Sequence, residues 1–291
     1  MTDIILNNKI TVILVSTGVF QDYIIYNINQ LLYFQYNIII ITEKKYFNKL
    51  NGFENNENIK LIDSNDLNTN FDLHSKLDKN FRDGFWNNCS KRLFLVYNCM
   101  KKYNLENCIH LENDVLLYYD FSNYKFNNKI YLTNDSENRC IPGIIYIPNY
   151  NLINNLINNY NYTKNDMENM NIFYHNNKDI CNTLPIIKHN KKYDKIDIYN
   201  ENYELFKGIF DGAAIGQYLG GDDPRNKAGN TIGFINETCV VKYNNYNFTW
   251  IKNKDGFNFP YIIIDDETIP IFNLHIHCKN LNKFTIFNIN M

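Results

Sequence analysis

Three residues of "HLENDV", His110, Glu112 and Asp114, recur at every second position as an apolar run comes to its end. On an extended backbone that spacing puts all three on one side, with Leu111 and Asn113 on the other. If the run ending at Leu111 is a strand, the acids come where it leaves the core. Open α/β sheets take their ligands at the carboxyl ends of strands. Two carboxylates there suit a hard divalent cation, which prefers oxygen ligands and bridges to phosphate. A second pair, His275 and His277 in "NLHIHCKNLNKF", is also two apart, with Lys279 and Lys283 just beyond. Imidazole beside carboxylate favours Mn²⁺-like ions over Mg²⁺ alone. Taken singly, an E-x-D is ordinarily a surface turn and an H-x-H a hydrogen-bonded or chance pair. The two together point to a cation held between distant segments.

The surrounding pattern supplies elements to position them. "KITVILVS" is a β-branched run; in the "TGVFQDYIIYNINQLLYFQ" that follows, Phe20, Ile24, Ile28, Leu31 and Leu32 recur at helical spacing. "YNIIIIT" and "IKLIDS" read as further buried strands, so the N-terminal part alternates strand and helix around a parallel sheet covered on both faces. "FWNNCSKRLFLVYNCMKKYN" is the clearest helix, with Trp86, Cys89, Leu93, Val96, Tyr97 and Met100 on one face, and "NCIHL" is the strand after it. Beyond Asp120, "KIYLT" and "GIIYIPN" read as strands and "NLINNLINNY" and "NDMENMNIFYHN" as helices. Glycines concentrate from Gly208 onward, where backbone must approach something closely.

The composition restricts the function classes. With 45% hydrophobic and 21% charged residues, the 291-residue chain is an ordinary folded protein with a large core. A net charge of −2 offers no basic field for nucleic acid. Abundant Asn, Ile, Lys and Tyr suggest an AT-rich genome, such as those of large DNA viruses and parasites. The 7 cysteines are widely spaced without a C-x-x-C, which speaks against a zinc knuckle or a disulfide framework and for buried thiols. Neither a signal peptide nor an 18-residue apolar window is present. The expectation is a soluble, cytoplasmic protein, in the host cytoplasm or the virion if the source is a virus.

A buried strand ending in an acidic D-x-D-type motif, after a long helix carrying an Arg, resembles the nucleotide-sugar glycosyltransferases of the GT-A fold. The resemblance implies a Rossmann-like mixed α/β sheet flanked by helices in a single domain over 1–291, with a nucleotide-sugar half over about 1–120 and an acceptor half over about 121–291. It implies Mn²⁺ or Mg²⁺ held by Glu112 and Asp114 against the donor's diphosphate, with Asn113 beside them. A C-terminal His followed by a Lys on phosphate is similar in spacing to His277 and Lys283, so His277 with Asp114 is the expected direct ligand pair, although the choice between His275 and His277 stays open. Arg92 would face the nucleotide, and Thr17 and Gly18 in "VSTG" would receive base and ribose. "PGIIYIPN" resembles the strand beside the donor sugar. "FDGAAIGQYLGGDDPRN" is similar to a segment of viral and other uncharacterised sugar transferases.

By that resemblance the reaction is hexosyl transfer from a nucleoside-diphosphate sugar, UDP-linked by preference, to a hydroxyl of a glycan or protein acceptor. The cation would stabilise the departing diphosphate, and Lys279 and Lys283 would close over it as the tail tightens. An inverting enzyme also needs a carboxylate to take the acceptor's proton. Asp211 is the first candidate, with Glu237 and Asp166 behind it; Asp211 reads equally as a turn or helix-cap acid. In a retaining enzyme Gln217 or Asp211 would brace the donor's far face. Arg225 reads as a loop or packing residue. Two alternatives remain: a sugar nucleotidyltransferase, although "STGVFQDY" lacks the basic, Gly-rich loop, and a non-catalytic carbohydrate-binding or structural protein on a degenerate transferase fold.

Overall fold

The computed structural model describes residues 10–122, 124–189, 197–226 and 231–288. β1 (Thr11–Ser16) is buried at every position, as is β2 (Asn37–Thr42). Continuous burial is what a parallel strand covered on both faces requires. Between them α1 (Ile24–Tyr33) buries Ile24, Ile28 and Leu31 along one stripe. It begins later than the apolar spacing predicts. Gly18 turns the chain at φ +83° and donates its N–H to Glu43 Oε1, so residues 17–23 form an entry loop and Phe20 packs on Tyr46 instead.

β3 (Ile59–Asp63) and the single-turn α2 (Phe71–His74) lead to α3 (Phe85–Tyr103), the 19-residue helix that the sequence marks most clearly. Left-handed Gly84 and Asn104 bound it at either end. β4 (Glu106–Leu111) then enters beside β1, and a tight turn carries the chain into β5 (Val115–Leu117). The hairpin of β6 (Ile130–Ser136) and β7 (Arg139–Asn149) follows, then α4 (Tyr150–Asn158), α5 (Asp166–Asn176) and β8 (Cys181–Thr183).

The seven strands order as β3-β2-β1-β4-β7-β6-β8. The first four are parallel; β7 runs against both β4 and β6, while β8 is parallel to β6. A mixed sheet flanked by helices is the expected architecture. It takes strands from both sides of residue 120. One core layer joins α3, α4 and α5 to the sheet through Leu93, Val96, Met100, Ile145 and Phe173; the opposite layer gathers around α1.

The C-terminal part adds α6 (Tyr203–Phe206), α7 (Ile215–Gly220) and an antiparallel sheet of β9 (Asn247–Lys252), β10 (Asn258–Ile264) and β11 (Glu267–Pro270). β12 (Asn273–His275) pairs antiparallel with β5, His275 opposite Val115. The sequence reading identified none of these last four strands. All seven cysteines are free thiols and six are buried. No helix of the described residues is long and apolar enough to cross a membrane.

Candidate active site

A cavity of about 490 Å³ opens over the carboxyl ends of β1 and β4. Its floor is the turn between β4 and β5. Glu112 N donates to Gly143 O at 3.0 Å, and Val115 N closes the turn on Glu112 O, also at 3.0 Å. Asn113 fastens the turn from beneath, its Nδ2 donating to Val15 O and Gln21 Oε1, while Asn27 Nδ2 donates to Asn113 O. Glu112, Asn113 and Asp114 thus all line the cavity. His110 does not: still inside β4, it is buried with Nδ1 3.0 Å from Ile13 O. Strand alternation predicts all three on one side, but the backbone leaves the strand after Leu111.

The β5–β12 pairing brings the C-terminal imidazoles to the acids. His275 Nε2 lies 3.0 Å from Glu112 Oε2 and 3.3 Å from Asp114 Oδ1. One donor atom from each of these residues falls within 4.8 Å of the others. The His277 ring lies beside that of His275, tilted by 35° with centroids 4.2 Å apart; it lines the cavity, and among the described residues its buried Nε2 has no hydrogen-bond partner. Of the two histidines left open by the sequence, His275 is therefore the one that meets both carboxylates.

Cationic side chains close round this centre. Arg92, from the third turn of α3, donates to Glu112 and stands 3.8 Å from Asp166. Lys279 Nζ pairs with Asp114 and lies over the Tyr23 ring. Burial alone would raise both carboxyls; instead Arg92 and His275 hold Glu112 at about 2, and Lys279 and His275 keep Asp114 well below its usual range. Burial would lower His275, yet Asp114 and Glu112 raise it to about 10. His277 goes the other way, pushed down by burial and by the charges of His275 and Lys279. Buried charges of this kind are costly unless mutually paired.

Asp211 holds the histidine's backbone. It is buried and outside the cavity, and its carboxylate accepts from Ala214 N, Ile215 N and Gly216 N, each at 2.8 Å, and from His275 N at 2.9 Å. Asn273 locks the same segment, accepting from Asp211 N and donating to Asp211 O. The expected proton acceptor is thus corrected to a helix-cap acid, with its oxygens consumed by backbone donors. The local density of glycine has a matching cause: a Cβ on Gly216 would stand 2.1 Å from His275 O.

The other sequence candidates divide. Thr17, Arg92, Asp166, Gln217, Lys279 and His277 line the cavity, and Gln217 Oε1 is buried without a partner among the described residues. Gly18 shapes the entry loop without lining the cavity. Glu237 is exposed and only its neighbour Asn236 reaches the cavity, while Lys283 is exposed in a 3₁₀ turn. Neither has a place at this site. The tail bearing Lys283 is already anchored: Ile286 N donates to Gln30 Oε1, Tyr118 Oη to Phe284 O, and Asn258 N to Ile286 O.

Sequence reasoning missed several lining residues. Tyr23, Trp86, Arg82 and Arg139 carried no signal, and Arg225 read as loop packing. Arg225 pairs with Asp223 and lies over Phe85, and Arg82 donates to Arg225 O. Trp86 and Cys89 belong to the predicted apolar face of α3, but its first turns face the cavity rather than the core. Asp166 opens α5; burial pushes its carboxyl up to about 6 against the pull of Arg92, and among the described residues its Oδ1 has no hydrogen-bond partner.

No family model matches the chain, and no curated protein matches it. Solved structures similar to it include the glycosyltransferase GlyE of Streptococcus pneumoniae TIGR4, at 12% identity and TM-score 0.41, covering 61% of this chain and 45% of GlyE. An active-site mutant of LgtC aligns at 10% identity and TM-score 0.44, covering 60% and 73%. A cytidylyltransferase from Leptospira borgpetersenii aligns at 11% and 0.39, covering 64% and 79%. The chain spans less than half the length of GlyE. Both transferase chemistries occur among the structures it resembles, and likeness at this level assigns neither.

Proposed function

We propose that this protein transfers a sugar from a nucleoside-diphosphate sugar, UDP-linked by preference, to a hydroxyl of a glycan or protein acceptor, with a divalent cation. One observation carries the reading: Glu112 and Asp114 converge in one cavity with His275, about 160 positions further along the chain, and Arg92 and Lys279 stand beside them. The donor set fits such a cation. Two buried carboxylates and an imidazole offer oxygen and nitrogen ligands suited to Mn²⁺, and the charge balance asks for positive charge at their centre. Arg92 and Lys279 supply part of it, each paired with one of the two acids.

When bound, the cation supplies Lewis-acid stabilisation of the leaving diphosphate. The chain's own residues do the rest. Glu112, Asp114 and His275 would hold it; Arg92 orients Glu112, and Lys279, paired with Asp114, would be free to meet the diphosphate oxygens, adding positive charge where negative charge develops. Tyr23 and Thr17 border the nucleoside end. Asp166, with its free oxygen and a carboxyl at about 6, replaces Asp211 as the group able to take an acceptor proton. Gln217, which also lines the cavity, would support the sugar.

The test is a thermal-shift screen of UDP- and GDP-sugars with and without Mn²⁺. Metal and nucleotide together should raise the melting temperature beyond the sum of their separate effects, because each completes the other's site. Release of UDP from a UDP-sugar on Mn²⁺ addition supports transfer. Pyrophosphate release from a nucleoside triphosphate and a sugar phosphate would establish nucleotidyl transfer instead, and strictly additive shifts would remove the shared site.

A further inference from the structure

The cavity extends past the acids to the β6–β7 hairpin, and we propose that Arg139 there receives an anionic group, a carboxylate or phosphate, carried by the transferred sugar or by the acceptor. The proposal rests on the glycosyl-transfer reading and narrows its substrate class. Sheet order sets the geography: β1, β4 and β7 are successive neighbours, so Thr17, the Glu112–Asp114 turn and Arg139 lie in sequence along the cavity. A donor with its nucleoside at Thr17 and its diphosphate at the acids places its sugar, and the acceptor beyond, toward Arg139.

The pairing of Arg139 differs from that of the other lining cations. Arg92, Lys279 and Arg225 each meet a carboxylate that also lines the cavity, namely Glu112, Asp114 and Asp223. The counter-ion of Arg139 is Asp135, which is wholly buried and lies behind the wall. Arg139 Nε and Nη2 both donate to Asp135, and among the described residues its side chain makes no other hydrogen bond. The guanidinium fork has more donors than these bonds use, and the cavity is the space the side chain borders. Ser136 pairs with Arg139 across a two-residue turn, fixing the fork on a rigid hairpin. Ile141 and Pro142, the next cavity-lining residues of β7, are apolar, and attraction of an anion to the guanidinium strengthens as water is displaced from such surroundings. Asp135 is buried but Arg139 keeps part of its side chain open to the cavity; an oriented guanidinium recognising a carboxylate or phosphate accounts for that exposure.

The experiment compares charged and neutral probes by calorimetry, using the whole chain with Mn²⁺. UDP-glucuronate should bind at least ~10-fold more tightly than UDP-glucose if the anion belongs to the transferred sugar. If it belongs to the acceptor, glucuronate or glucose 6-phosphate should bind at least ~10-fold more tightly than glucose, with or without UDP present. Arg139→Gln should erase whichever preference is seen while leaving UDP binding unchanged. Because that variant strands Asp135, Asp135→Asn/Arg139→Gln is run beside it. Equal binding of charged and neutral probes in both arms, or a preference that survives the double variant, overturns the proposal. Absence of any nucleoside-diphosphate binding defeats the transfer reading separately, and the free-acid arm then decides Arg139 alone.

Discussion

His275 Nε2 sits 3.0 Å from Glu112 Oε2 while the same nitrogen reaches Asp114 at 3.3 Å, so one imidazole ties both carboxylates together. Replacing it should affect cation binding far more than replacing its neighbour. His275→Ala is expected to weaken Mn²⁺ affinity by ~100-fold or more, and His277→Ala by ~10-fold, the usual loss for a supporting residue. Calorimetric titration with Mn²⁺ gives both values. The reverse ranking would mean that the two histidines exchange places when the ion enters.

Asp211 should prove a stability residue. Asp211→Asn turns part of an acceptor-only group into a donor facing backbone N–H groups, at a cost of ~3 kcal/mol. Urea denaturation should show the loss, and turnover per folded molecule should remain within a few-fold of wild type. An unaltered melting temperature with turnover abolished would return the proton-acceptor role to Asp211.

Gly216→Ala is expected to be severe, because the added carbon meets His275 O at 2.1 Å and backbone cannot step aside as a side chain would. A loss of ~3 kcal/mol or more follows from such overpacking, together with weakened Mn²⁺ binding. A fully stable Gly216→Ala variant with normal metal affinity would show that α7 does not bear on β12 as described.

The pH dependence of Asp166 has a definite sign. Its folded carboxyl sits at about 6, above the ordinary 3.8, because burial disfavours its charge. The folded chain therefore binds this proton more tightly than the unfolded chain. Between about pH 4 and 6 the group lowers stability as pH rises, by up to ~3 kcal/mol in the limit. Buried His110, held neutral at about 4, acts oppositely across part of that window. The difference between Asp166→Asn and wild type isolates the first effect: the variant should gain relative stability above pH 6 and lose the advantage below pH 4. A difference flat with pH would show that Asp166 is not the group titrating. If Asp166 takes the acceptor's proton, the variant should also be nearly inactive.

Much of this arrangement is legible in the chain. β1, β2 and β4 announce themselves as unbroken apolar runs, α3 by its stripe, and the acids by their position at the end of β4. The choice of histidine is not legible, because it depends on the register between β5 and β12, two three-residue strands too short to leave a pattern. His110 misleads for a related reason: alternation holds only while the backbone stays extended, and it stops at Leu111. Lys283 follows the histidine motif in sequence, yet it is exposed in a 3₁₀ turn, and Glu237 is likewise exposed; neither lines the cavity. Arg82, Tyr23, Arg139 and Arg225 reach the cavity only because separate loops and a hairpin meet there.

The β5–β12 ribbon has a consequence for how the protein comes into being. Its two strands lie about 160 positions apart along the chain, so at ordinary elongation speeds the ribosome completes the second some ten to thirty seconds after the first. During that interval the central sheet can form while Glu112 and Asp114 wait in water without their imidazole. The grouping of Glu112, Asp114 and His275 can therefore assemble only once β12 has been made and has paired with β5.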